Sequence, residues 1–296
     1  MSKKYYEYYE QIYAAVLASG GDCFNFPPDG NFDELFKRSF LPVDGRVLDL
    51  GCGEGFYTLL FASEGYPVLG IDISASAIAL ANQRAAAQNR TDVQFRVGDV
   101  THLAGLSDQS FDTVLSIHCF HCLSDARDRS AHLQESWRVL RPGGIFVFDN
   151  MAAPLEEDMP SFRTWHVQQG GEISEDASGV TTSMQASQPF HCRVKPSQTV
   201  IDVPTGIALA HRFYGRLPHI IAQIESLGFE VLSAETTVPD RATLRRPELV
   251  HGDNVLYATK PLQGKNPQPE TLPAGSTAES AHRYPRRQFF PDATIH

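Results

Sequence analysis

The stretch Val47-Leu48-Asp49-Leu50-Gly51-Cys52-Gly53-Glu54-Gly55 constrains this chain more than any other. An apolar run breaks into three glycines and resumes as Phe56-Tyr57-Thr58-Leu59-Leu60, which predicts a buried strand turning sharply into a helix. In open α/β sheets that joint lies at the carboxyl edge, where nucleotide-like cofactors bind. Glycines there leave the backbone bare, so a ligand can approach it closely. Their spacing is G-x-G-x-G, whereas the dinucleotide fingerprint requires a further glycine where this chain has Phe56, which argues against NAD.

The surrounding sequence supplies a setting for such a joint. With 296 residues, 42% of them hydrophobic, the chain can bury one large core with a small appended lid. Strand signals over 46–50, 67–71, 93–97, 113–117 and 144–149 alternate with helix signals over 55–63, 74–88 and 129–140. That alternation predicts βαβ units, hence a parallel sheet with helices on both faces. Ahead of it, Tyr5, Tyr9, Ile12, Tyr13 and Val16 recur at helical spacing and predict an amphipathic helix stopped by Gly20-Gly21, with a second short helix over 32–40. Beyond Asn150 the alternation lapses. Residues 180–185 and 193–203 read as antiparallel strands, and a helix over 217–227 with strands over 229–234 and 254–259 closes the sheet. The division expected is an N-terminal helical lid over 1–43, a domain over 44–260 carrying an insertion at 151–210, and a flexible tail rich in Pro, Gln, Ser and Thr over 261–296.

Charge and cysteine usage narrow the function class. A net charge of −10 opposes attraction to phosphate backbones, so nucleic acid is a minor candidate. Five cysteines at irregular spacing suit reduced thiols, and no disulfide is expected. No run approaches the roughly 18 apolar residues of a membrane span, and Met1-Ser2-Lys3-Lys4 leads into Tyr and Glu instead of an apolar signal core. The expected address is cytoplasmic, without membrane attachment.

Residues 47–55 resemble motif I of the class I methyltransferases that use S-adenosylmethionine (SAM), of the small-molecule kind grouped as types 11 and 25. Arg96-Val97-Gly98-Asp99-Val100, Phe111-Asp112-Thr113-Val114-Leu115-Ser116-Ile117-His118 and Trp137-Arg138-Val139-Leu140-Arg141-Pro142-Gly143-Gly144 extend the resemblance in order. It implies a doubly wound, mostly parallel, seven-stranded Rossmann-like sheet whose final strand runs antiparallel between its neighbours, with the insertion as a substrate lid. It also implies SAM as cofactor, on Gly51, Cys52, Gly53 and Gly55. Asp49 would hold the loop amides or a water bridging to the SAM ammonium. Asp72, 19 residues beyond Gly53, offers its carboxylate to both ribose hydroxyls, or else caps the next helix, for which Ser74 is an equal candidate. Asp99 is set against the adenine amino group, with Ile73 and Val100 on the ring faces. Ser116 and Tyr13 complete the expected cofactor set.

Methyl transfer from a sulfonium is an in-line displacement with a good leaving group, so the protein must align the acceptor, exclude water and remove a proton where the acceptor carries one. His118, just past the fourth strand, is the candidate base, with cofactor hydrogen bonding or packing as its other reading. His121 is structural or an acceptor contact, and Tyr214 is an acceptor contact. Tyr9 and Tyr13 form an aromatic lid near the sulfonium or simply pack the first helix. No metal is expected. Cys119-x-x-Cys122 lacks a second spaced pair, and Asp149-Asn150 resembles the magnesium-binding pair of catechol-type methyltransferases, yet Ile117 stands where those carry another Asp. Three functions remain open: transfer to oxygen or nitrogen of a small-molecule acceptor, tRNA-base methylation, which needs a basic face, and SAM binding on this fold without methyl transfer.

Overall fold

The computed structural model of the protein describes residues 7–19, 41–42, 44–168, 170–185, 190–194, 199–203, 208–238 and 252–262. All belong to the unit spanning 1–263, and the helix expected over 32–40 and the tail beyond 262 lie outside the described residues. In chain order the sheet-forming part runs α1 (Glu7–Ser19), β1 (Val47–Leu50), α2 (Phe56–Ser63), β2 (Val68–Asp72), α3 (Ala75–Ala87), β3 (Val93–Val97), β4 (Phe111–Ile117), α4 (Ala126–Val139) and β5 (Leu140–Met151).

An insertion follows, with α5 (Met159–Gln168), β6 (Gly171–Asp176), β7 (Gly179–Gln185), β8 (Phe190–Val194), β9 (Thr199–Val203) and β10 (Ala208–Gly215). The chain then returns through α6 (Leu217–Ser226), β11 (Glu230–Thr237) and β12 (Asp253–Thr259). Seven strands form one sheet in the order β11-β12-β5-β4-β1-β2-β3. β1 to β5 are parallel, and β12 runs antiparallel to β5 on one side and β11 on the other. The expected doubly wound, mostly parallel sheet is therefore present.

Alternation along each strand divides the core in two. Val47, Leu115, Ile117, Ile145, Val147 and Tyr257 pack with Phe61 and Ala62 of α2 on one face. Leu48, Leu50, Val114, Phe146, Phe148 and Leu256 meet Leu133 of α4 and Ile220 and Ile224 of α6 on the other. Local chemistry sets several boundaries. Ser74 Oγ accepts the Ala77 amide at 3.0 Å and starts α3, while the Asp125 carboxylate accepts the Arg127 amide at 2.8 Å, so α4 begins before the expected 129. Lys260, buried at the end of β12, donates to the carbonyls of Trp137 and Leu140 at 2.8 and 2.9 Å and so satisfies the last turn of α4.

The insertion has a small core of its own. β10, β7 and β6 form an antiparallel sheet in that order, β8 and β9 form a hairpin, and Phe162, Val180 and Tyr214 pack together. α5 and β6 were not expected from the sequence. α1 packs on α3 and reaches β8, β9 and β10. No helix among the described residues is long and apolar enough to cross a membrane.

Candidate active site

The glycine joint sits where the sequence places it, between β1 and α2, and its conformation explains its composition. Gly51, Gly53 and Gly55 have φ of 73°, 52° and 86°, a region that side-chain-bearing residues enter only with strain. The amides of Gly51 and Cys52 both donate to the Ile71 carbonyl, at 2.8 and 3.0 Å, tying the loop to the end of β2. A Cβ on Gly51 would lie 2.5 Å from Cys119 Sγ, and one on Gly53 would lie 2.7 Å from the Tyr13 hydroxyl. Glu54, not singled out in the sequence, is buried and ion-paired to Arg84 of α3 at 2.7 Å, which fixes the loop from its other side.

Three carboxylates line the carboxyl ends of β1, β2 and β3. Asp72 accepts the Gly53 amide at 2.8 Å through one oxygen and the Ser74 amide at 2.9 Å through the other. Ser74, rather than Asp72, is thus the helix cap, and Asp72 binds the glycine loop to the start of α3. Burial pushes its carboxyl above the ordinary value, against the pull of those amides. Asp49, only 2% exposed, accepts the Thr58 hydroxyl at 2.6 Å; burial raises it to about 6, with Thr58 pulling it down and Asp72 pushing it up. Asp99 accepts the amide and hydroxyl of Thr101 through one oxygen, at 2.8 and 2.7 Å, beside buried Val100, and Ile73 lies at the end of β2.

α1 covers this edge. Its Glu10 carboxylate accepts the Ser74 hydroxyl at 2.7 Å, the Ser76 hydroxyl at 2.6 Å and the Ser76 amide at 3.2 Å, so a negative charge meets the N-terminus of α3. That carboxylate was missed in a segment whose tyrosines drew attention. Tyr13 is buried with its hydroxyl over Gly53, and Tyr9 accepts a hydrogen bond from Cys122 Sγ at 3.2 Å. Burial, and then the neighbouring Asp72 and Glu54, push the Tyr13 hydroxyl far up, which keeps it neutral.

Several residues expected around the cofactor or the acceptor have buried side chains. Ser116 is fully buried and its hydroxyl bonds His132 Nε2 at 2.8 Å inside the core. Tyr214 is buried too, its ring packed edge-on against Phe162 at 5.1 Å in the core of the insertion. His121 is buried as well, edge-on to the His118 ring at 5.9 Å. His118 is exposed, at φ 53°, with its amide donating to the Asp149 carbonyl at 3.0 Å. The Asp149-Asn150 pair does not assemble, because adjacent strand residues face opposite ways and the buried Asn150 donates to the Met151 carbonyl. Instead Asp149 meets His118 and Asp253, with one ligand atom from each within 4.8 Å of the others. Among the described residues no metal-ligating group includes a cysteine, and Cys52, Cys119 and Cys122 are free thiols.

Residues 48–148 match the model of a family described as a methyltransferase domain. A 2-heptyl-1-hydroxyquinolin-4(1H)-one methyltransferase of Mycobacteroides abscessus is 36% identical over 121 residues, covering 40% of this chain and 52% of that protein. A ubiquinone biosynthesis O-methyltransferase of Paracidovorax citrulli is 35% identical over 111 residues, covering 37% of this chain and 45% of that one. The chain thus spans about half the length of these relatives. Among solved structures, a SAM-dependent methyltransferase of Methanosarcina mazei superposes with a TM-score of 0.57 at 22% identity, covering 77% of this chain and 98% of that one. A (4+2)-cyclase superposes at 0.54 with 17% identity, covering 86% and 95%, so the fold is shared by proteins of different chemistry.

Proposed function

We propose that this protein, whose residues 48–148 match the model of a methyltransferase domain and form part of a Rossmann-like sheet, transfers the methyl group of SAM to an oxygen or nitrogen of a small-molecule acceptor. The observation that carries the reading is the joint between β1 and α2: three left-handed glycines with one amide bonded to Asp72, which stands at the end of the next strand. Gly51 to Gly55 would hold the methionine part of SAM, Asp72 its ribose, and Ile73, Val100 and Asp99 its adenine. Asp49 would act on the ammonium through the loop, and Tyr13 would cover the cofactor from α1. The acceptor enters beyond β4 and β5, beneath the insertion, where His118 is exposed. The net charge of −10 favours a small molecule over a nucleic acid there.

In the reaction the acceptor's lone pair forms a bond to the methyl carbon while the C–S pair returns to sulfur, and the acceptor's proton departs at the His118 end of the sheet. Alignment and exclusion of water supply most of the rate. The test incubates the protein with SAM and a panel led by hydroxyquinolones and phenols, with mass spectrometry of S-adenosylhomocysteine and methylated product. SAM binding with no turnover across amines, phenols and N-hydroxy compounds would point to the non-methylating alternative. Absence of SAM binding would overturn the reading altogether.

A further inference from the structure

Three strands that are far apart in the chain bring His118, Asp149 and Asp253 to one point. His118 is the first residue past β4 and Asp149 lies near the end of β5. Asp253 opens β12, and because β12 is antiparallel, its first residue falls at the same edge where β4 and β5 end. Asp149 and Val255 are register partners, so alternation puts Asp149, Val255 and Asp253 on one face of the sheet. One ligand atom from each of the three side chains lies within 4.8 Å of the other two. Asp149 Oδ1 is shut off from solvent and has no hydrogen-bond partner. Natural proteins rarely leave a buried carboxylate oxygen unsatisfied, and a carboxyl group gathered with a second acid and an imidazole suits a positive charge.

We propose that His118, Asp149 and Asp253 bind a divalent cation at the acceptor end of the sheet. Two carboxylates and one imidazole form a donor set of intermediate softness, suited to Mn²⁺ in particular, and a divalent ion ends the repulsion between the acids. This reverses the expectation of a metal-free site. The Ile117 that stands where a further Asp was sought points into the core, and Asp253 supplies the second acid from another strand. Given the methyltransferase reading, on which the role though not the binding rests, the ion holds the oxygen of a hydroxyl acceptor. The hydroxyl becomes more acidic, its proton leaves to water, and its lone pair attacks the methyl as the C–S pair returns to sulfur. His118 then serves as a ligand instead of a base.

The experiment titrates Mn²⁺ into chelator-treated full-length protein and follows the free ion by electron paramagnetic resonance, with SAM calorimetry on the same samples. The expected result is one saturable Mn²⁺ per chain, weakened roughly tenfold or more in Asp149→Asn, Asp253→Asn and His118→Gln while SAM still binds. No saturable Mn²⁺, or binding that all folded variants retain, overturns the proposal even if SAM binds normally. If Asp149→Asn fails to fold, Asp253→Asn and the exposed His118→Gln decide. Loss of SAM binding by the unaltered protein would instead strike the methyltransferase reading and leave the cation result standing.

Discussion

Asp49 lies buried under the glycine loop, and replacing it should separate its contribution to stability from its contribution to the ligand. Its carboxyl titrates near 6 in the folded chain against an ordinary 3.8. That gap, at about 1.4 kcal/mol for each pH unit, amounts to about 3 kcal/mol. The sign follows from proton counting. Between pH 3.8 and about 6 the folded chain holds the proton that the unfolded chain has lost, so stability falls as pH rises through that window and the full penalty is present above it. Asp49→Asn removes the charge and keeps an oxygen to accept the Thr58 hydroxyl. Any cost of the new amide is independent of pH, so the informative quantity is the change with pH of the stability difference between variant and parent. Urea denaturation at several pH values should show that difference moving in favour of the variant by about 2 kcal/mol from pH 4 to pH 7.5. A flat difference would refute the reasoning, because Asp49 would then be no more costly to ionise in the fold than in the unfolded chain. Under the proposed function, calorimetry on the same variant should show weaker SAM binding, since the variant removes the charge proposed to act on the ammonium.

Asp72→Ala should weaken SAM binding by on the order of 1.5–3 kcal/mol for each ribose hydroxyl bond lost, and unchanged affinity in a folded variant by calorimetry would remove Asp72 from the cofactor site. His118→Ala should lower kcat by about 10²–10⁴-fold at unchanged SAM affinity, a range that covers loss of either a base or a bound cation, and steady-state kinetics with the identified acceptor decides it. Glu10→Ala should loosen α1 by about 1 kcal/mol, the bond being partly exposed, and stopped-flow measurement should show faster SAM release. His132 is held neutral by burial, its imidazole titrating near 4 instead of 6.5, so its contribution to stability is complete above pH 6.5 and is lost as pH falls toward 4. His132→Gln should therefore flatten the acid limb of the stability profile, and an unchanged limb in urea titrations would show that His132 is not its source.

Much of the sheet was legible because parallel strands buried on both faces are written as apolar runs between glycine and proline turns. β1, β2 and β4 differ from the expected bounds by no more than two residues at either end. The half-exposed edge strand Val93–Val97 falls on the expected residues through its alternation of apolar and polar side chains instead. The insertion was less legible for a physical reason. α5 buries only Phe162 and His166, and β6 is mostly exposed, so neither carries a periodic apolar signal. The positions of Asp49, Asp72 and Asp99 at strand ends follow from the sequence because these residues adjoin the strands that carry them. The meeting of His118, Asp149 and Asp253 does not. Gly252-Asp253-Asn254 looks like a turn in sequence, and only the antiparallel course of β12 brings Asp253 to His118. Likewise Ser116 and His132 are 16 positions apart on different elements, and no local pattern announces a bond that turns the hydroxyl into the core.

The placement of β12 also governs how the protein must be made. β5 emerges from the ribosome about a hundred residues before the strand that will cover its outer side, and among the described residues β11 pairs only with β12. Until 253–259 is available, β5 presents an uncovered ladder of amides and carbonyls beside Ile145, Phe146, Val147 and Phe148, the kind of edge that recruits other strands. The nascent chain must therefore carry an unfinished sheet through synthesis of the whole insertion, and closing it requires one of the longest-range contacts in the fold. Chains interrupted before 253 would be prone to aggregate, whereas a peptide carrying residues 253–259 has the hydrogen-bonding pattern to fill the same slot from outside.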